Sequence, residues 1–391
     1  MLKVNTNGSR VYLTGLVFFL VASIFGHTYA PIPSQVRYAF LGAAIFLIVF
    51  KIVVLGTTFR ARTSSIIGLI LIGLFIVISA ISAINARVIY PVTTALLIIG
   101  AKDVNFDKIV KTFVVTATAV MISTFLFYLL GLANGVVQIR DGYVRHTFGY
   151  RGPTDLAAMV SFILMADLYL GSKKNRPIWC RILGYLFFSV FFWYESNARL
   201  GSLTILILVP VSILIKYGQK FMLNSSLFKF IFKFSFTICS LISIWIIQSY
   251  ISNPGSNFLI NLDSLTSYRL TLTVMAVKLY GYSILGNDIY TSYFSVNSNY
   301  FYVDSSFYIF LLEYGIILMI IVAIGYYWFV RKELKNKEIL IPLFLLVACI
   351  DGMIGQVFYL PEYNIFLLAA LAIISPGFSA EKDTNFEITA Y

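Results

Sequence analysis

Residues 11–56 read VYLTGLVFFLVASIFGHTYAPIPSQVRYAFLGAAIFLIVFKIVVLG, two apolar runs (11–30 and 38–56) joined through APIPS. Each has the roughly 17–25 residues that carry a helix across about 30 Å of hydrocarbon, where a helix satisfies its own backbone polar groups. The first run is a full span long and leads straight into another, so it reads as a retained span rather than a cleaved leader. The pattern recurs along the chain. Further runs lie at 64–84, 86–101, 109–132, 155–171, 178–194, 199–217, 230–250, 306–330, 338–360 and 362–378, twelve expected spans in all. Of 391 residues, 59% are hydrophobic and 12% charged, against roughly 45–50% and 25% in soluble domains. The chain therefore reads as one all-α integral membrane domain, 1–391, with no soluble part large enough to fold alone.

The cations set the expected orientation. With the N-terminus inside, 21 of 29 lysines and arginines fall on the cytoplasmic side, fifteen of them lysine. Both termini are then cytoplasmic. The +12 net charge follows from topology and anionic inner-leaflet lipid, with no nucleic acid needed. The outer eight are Arg37, Arg87, Arg140, Arg145, Arg151, Arg199, Arg269 and Lys278. An outer face that keeps arginine and avoids lysine suits bidentate recognition of phosphate or carboxylate. The alternative is snorkelling to headgroups or pairing with nearby acids.

Other chemistries lack their signatures. Cys180, Cys239 and Cys349 lie in or beside spans and make no disulfide framework. Two histidines, His27 and His146, are too few for a metal cluster, and no nucleotide-binding loop is present. No cofactor or metal is expected.

Two outer segments are large enough to build a site. The first, residues 133–154, reads ANGVVQIRDGYVRHTFGYRGPT; the second runs from 251 to 305 between spans 9 and 10 and is rich in Asn, Ser and Tyr. Such tyrosines suit either an interfacial belt or sugar stacking. Within the second loop, 264–281 reads as a surface helix with Leu265, Tyr268, Leu272, Met275, Ala276 and Leu279 on one arc. Arg269 falls in that arc and must find an anion or reach water.

Four stretches resemble the motifs of Wzy-type polysaccharide polymerases, in that family's order. RHTFGYRGPTDLA (145–157) matches at Arg145, Gly149, Tyr150 and Pro153, and ESNARLGSLTILIL (195–208) at Arg199. SYRLTLTVMAVKLYGYSILGND (267–288) matches at Arg269 and Gly286, and VDSSFYIFLLEYGII (303–317) at Asp304, Phe307 and Gly315. IIGAKDVNFDKIVK (98–111) resembles a cytoplasmic connection common in the same proteins. Gly152, Thr154 and Ser305 depart from the usual His, Asn and Asn.

The resemblance implies an architecture like that of the GT-C-type polymerases and ligases, in the cytoplasmic membrane with the active site outward. The implied reaction moves a glycan from its polyprenyl diphosphate carrier onto a lipid-linked repeat unit. A flippase and a chain-length regulator are the implied protein partners, beside membrane lipid. It implies Arg145, Arg199 and Arg269, with Arg151 as a fourth, as a cationic cradle and Asp304 as the group that orients or deprotonates the acceptor. Arg145, Arg151, His146, Tyr268 and Asn287 are the substrate-binding candidates.

Simpler readings stand beside these. Glu195 and Arg199 could form an (i, i+4) salt bridge. Asp304 could cap the helix near Ser306, and Asp155 could be a helix-start acid. Asp351 and Glu313 are acids within spans, suited to holding an outer arginine. The rival functions are an O-antigen ligase, whose usual loop histidine is replaced by Asp304, and a flippase or transporter, whose internal repeats are not seen.

Overall fold

Long apolar runs leave the backbone little choice but to bond to itself, and helices dominate the fold. The computed structural model describes residues 6–55, 63–135, 137–140, 143–174, 177–289 and 302–374. Loop residues 290–301, the end of the expected span at 362–378, and Lys3, Arg60, Arg62, Arg176 and Lys382 lie outside these, as does the side chain of Arg140.

Among the described residues, six helices are long and apolar enough to cross a membrane: α1 (Thr6–Gly26), α2 (Ser34–Val53), α5 (Phe106–Leu129), α6 (Pro153–Lys173), α8 (Arg199–Tyr217) and α10 (Ser226–Ser252). They coincide with six of the expected spans, and the chain is a membrane protein. Between them run α3 (Thr63–Ala86), α4 (Tyr90–Gly100), α7 (Trp179–Glu195) and α9 (Gln219–Asn224). The loop before α6 carries a hairpin, β1 (Val137–Arg140) paired antiparallel with β2 (Tyr143–His146), Gln138 opposite Arg145.

The second loop holds α11 (Asn257–Leu265) and α12 (Arg269–Tyr280). The continuous helix expected over 264–281 is broken, because Ser267 and Tyr268 adopt left-handed backbone with φ of 68° and 62°. Most of its expected buried arc fails with it: Leu265, Tyr268, Met275 and Leu279 are exposed, while Ala276 is buried as expected and Thr273, outside the arc, is buried too.

The C-terminal third departs most from the expected spans. Residues 306–330 are not one helix but α13 (Ser306–Ile309), a π turn over Phe310–Tyr314 and α14 (Ile316–Lys335), interrupted at Gly315. α15 (Leu340–Gly352) has 13 residues, about 20 Å at 1.5 Å per residue, short of the hydrocarbon thickness. Residues 353–374 contain turns, 3-10 segments at Val357–Tyr359 and Ile365–Ala370, and a parallel bridge of Ile373 to Asn105. Pro361 supplies no N–H and pushes Leu360 to extended backbone (φ −102°, ψ 107°), so a helix cannot pass.

Non-helical backbone is tolerated at membrane depth only where protein surrounds it, and every residue from 357 to 369 is buried. Side chains complete its bonds. Thr94 Oγ1 donates to the Tyr359 carbonyl (3.2 Å) and Asn364 Nδ2 to that of Phe358 (2.9 Å). The Phe358 N–H donates to Ser306 Oγ (3.1 Å). Hydropathy reads burial, and here burial belongs to a chain wrapped in helices.

The two ends of the bundle differ chemically. At one end Lys51 Nζ donates to the Gly100 carbonyl (2.8 Å), meeting the orphan acceptors that close α4, and Lys173 pairs with Asp107 (2.9 Å). At the other end gather Arg37, Arg87, Arg145, Arg151, Arg199 and Arg269, beside the termini of α1, α2, α3, α6, α8 and α12.

Candidate functional site

The arginine-bearing end contains a cavity of about 390 Å³. Two segments build one wall. After α1 stops at Gly26, Thr28 forms an antiparallel bridge with Tyr150. Tyr29 N–H donates to the Gly149 carbonyl (2.8 Å) and Arg151 N–H to that of His27 (2.9 Å). Gly149 permits this turn with φ of 86°, and a Cβ there would stand 3.2 Å from the Thr124 carbonyl. The exchange sets His27 and Arg151 side by side on the cavity wall.

Pro153 then starts α6 with a fixed φ, and Asp155 accepts from the Gly152 N–H (3.1 Å). Asp155 is thus the helix-start acid expected from sequence, and it also lines the cavity. Arg37 and Tyr38 reach in from the first turn of α2, Glu313 from the π turn, and Tyr302 and Gln356 from across. Neither Arg37 nor Arg151 has a carboxylate partner within ion-pair distance among the described residues.

His27 has such a partner: its Nε2 lies 3.5 Å from Glu362 Oε1, and Glu362 is fully buried. Burial favours the neutral ring, but adjacent Glu362 and the charge of Asp155 outweigh it, with Arg151 opposing. The His27 pKa is raised above the ordinary histidine value.

Beside the cavity lies a second cluster. Arg269 Nη1 donates to the Ile354 carbonyl (2.7 Å), and Nε sits 3.4 Å from Asp304 Oδ2. Arg269 and Asp304, separate candidates in the sequence, are therefore brought together, and Ser305, not Asp304, holds the cap position of α13. Asp351 takes the Thr204 hydroxyl (2.7 Å).

Arg269 is placed by a residue that sequence reading passed over. Asp263 is buried and accepts from the N–H groups of Leu270 (2.9 Å) and Thr271 (3.2 Å), capping α12 from the preceding helix. We expect Asp263→Ala to lower stability by about 1–2 kcal/mol, read as a fall in apparent melting temperature in detergent. Asp263→Asn, which keeps an acceptor oxygen, should recover part of it.

The remaining candidates are placed elsewhere. Arg145 is buried and its Nε donates to the Ser196 carbonyl (3.0 Å), tying the hairpin to the α7–α8 turn. His146 contributes its carbonyl to Ser196 Oγ (3.0 Å) and packs its ring on Phe148. Arg199 opens α8 with Nε on Asn197 Oδ1 (3.2 Å). Glu195 ends α7, so the expected (i, i+4) salt bridge with Arg199 is not formed; the two belong to different helices. Tyr268 is exposed, and the backbone N–H of Asn287 donates to the Glu313 carbonyl (2.9 Å). Neither side chain lines the cavity.

His27 and Arg37 were visible in sequence only as one of two histidines and one of eight outer cations; their joint placement depends on the bridge and on α2. Set against protein-family models, curated proteins and solved structures, the chain matches none of them.

Proposed function

We propose that the protein joins polyprenyl-diphosphate-linked oligosaccharide repeat units into a polysaccharide at the outer face of the cytoplasmic membrane. The observation that carries this reading is the pair of guanidiniums, Arg37 and Arg151, facing one cavity without carboxylate partners among the described residues. Guanidinium forks favour phosphate oxygens. Tyr38, Tyr90 and Tyr302 add ring faces and hydroxyls suited to sugar, and Asp155, Glu313 and Gln356 add acceptors for hydroxyl groups. The Arg269–Asp304 pair next to the cavity supplies a further cation for the leaving diphosphate. The motif resemblance and the expected topology, with both termini cytoplasmic, agree with this chemistry. Energy comes from the diphosphate leaving group, so no nucleotide site is required.

The test is surface glycan length by gel in cells lacking the protein. Loss of long chains with single repeat units still made supports the proposal. Accumulated lipid-linked long chains point instead to a ligase, and absence of any outward repeat unit to a flippase. Arg37→Gln and Arg151→Gln should each lower the rate of polymer formation about tenfold or more, the loss of one charge-assisted hydrogen bond. Their combination should exceed either alone; a double variant with wild-type chain length overturns the cradle.

A further inference from the structure

We infer that His27 and Glu362 form the proton-accepting dyad of the cavity, His27 taking the proton of the acceptor sugar's hydroxyl while Glu362 positions and holds the ring. The inference rests on reading the cavity as a glycosyl-transfer site. His27 lines the cavity wall, its side chain 15% exposed. Its backbone is fixed on both sides, the N–H donating to the Ile24 carbonyl (3.0 Å) and the carbonyl receiving the Arg151 N–H. The ring stands edge-on to Tyr363 at 5.4 Å.

Behind it, neither Glu362 carboxylate oxygen has a hydrogen-bond partner among the described residues, and the His27 contact at 3.5 Å is its ion-pair contact. A fully buried carboxylate with so little compensation is costly, and such groups cluster where chemistry needs them. The other charged and titratable groups facing this ring or its cavity are Asp155 from α6, Arg151 from the turn before it, Arg37 and Tyr38 from α2, Tyr90 from α4, and Tyr302, Glu313 and Tyr314 opposite.

The step balances as follows. The acceptor O–H proton passes to His27 Nδ1, the nitrogen not turned to Glu362, and that oxygen bonds to the donor's anomeric carbon. The bond from this carbon to the phosphate oxygen breaks, its electron pair leaving on the diphosphate. The imidazolium, held by Glu362, returns the proton to water.

Only neutral His27 can accept, so the rate rises with pH through its titration. That inflection lies above the ordinary value of 6.5, because the nearby carboxylates outweigh burial. Removing the Glu362 charge moves the inflection toward acid.

The chain has two histidines, so ring-labelled protein in detergent gives two NMR titrations, assigned by His27→Asn and His146→Gln. We expect His27 to titrate above ordinary histidine and to fall by about one pH unit, tenfold in proton affinity, in Glu362→Gln, with His146 unmoved. With purified lipid-linked repeat units, His27→Asn should cut the initial rate about 10²–10⁴-fold. Glu362→Gln should displace the acid limb of the rate profile by the same interval as the NMR titration.

An unmoved His27 titration in Glu362→Gln overturns the dyad. A His27→Asn rate within about threefold of wild type overturns the proton role, as does an undisplaced acid limb in Glu362→Gln, which decides the matter if His27→Asn does not fold. Wild-type protein that elongates nothing refutes the glycosyl-transfer reading and the proton role with it, while the NMR result still decides whether the pair is coupled.

Discussion

Arg269→Lys is expected to reduce polymer synthesis about 10²–10³-fold, the scale of removing one preorganised donor from a developing oxyanion, although the charge is kept. The guanidinium does two things at once: Nη1 donates to the Ile354 carbonyl at 2.7 Å while Nε faces Asp304 at 3.4 Å. Arg269 and Asp304 are both largely buried, at 16% and 13% side-chain exposure. An ammonium is a single point and cannot hold a carbonyl and a carboxylate in that fork geometry. One contact is lost, and Asp304 turns toward whatever cation remains.

A double-mutant cycle separates the pair from its parts. If Arg269 and Asp304 act as a unit, Arg269→Lys combined with Asp304→Asn should be little worse than Arg269→Lys alone. Initial rates on purified lipid-linked repeat units, with membrane-inserted protein quantified, provide the measurement. Wild-type rates in Arg269→Lys would remove Arg269 from the cradle.

Motif order singled out Arg269 and Asp304 separately, one for the leaving group and one for the acceptor, and their contact became visible only in the structure. The helical fold was legible where apolar length alone decides, in α1, α2, α5, α6, α8 and α10. It was illegible where burial comes from protein rather than lipid. Residues 353–374 fall in the end of one expected span and most of the next, yet Pro361 and hydrogen bonds with Thr94, Asn364 and Ser306 make a non-helical course stable.

The cavity was half legible for a related reason. Arg151 stood in a motif, but His27, Arg37 and Glu362 come from three distant segments, and only the Thr28–Tyr150 bridge and the wrapped C-terminal chain bring them near it. Arg145 shows the converse: its motif position was readable, while its engagement with the Ser196 carbonyl was not.

The largest stability effect is expected from Gly315→Ala. Gly315 ends the π turn with φ of 99°, a conformation that costs an L residue about 1–3 kcal/mol. A Cβ there would lie 2.7 Å from both the Gly286 nitrogen and the Ile284 carbonyl. These are backbone atoms, so no side chain can rotate away, and overpacking adds about 1–3 kcal/mol.

The contact cannot open cheaply, because the two segments are laced together. Ser283 and Asn287 N–H groups donate to the Leu311 and Glu313 carbonyls (both 2.9 Å), and Ile316 N–H returns a bond to Ser283 (2.9 Å). Alanine at 315 should therefore cost about 3–5 kcal/mol, read as a large fall in apparent melting temperature in detergent. Gly286→Ala should cost less, since its nearest atoms stand 3.0 Å away. Gly42→Ala, with no atom within 4 Å of the new carbon, should change nothing. Because Glu313 belongs to the displaced turn and also lines the cavity, Gly315→Ala protein that still folds should lose rate as well as stability. Gly42→Ala should lose neither, and equal melting of the two variants would show that the glycine lock is not what holds this wall in place.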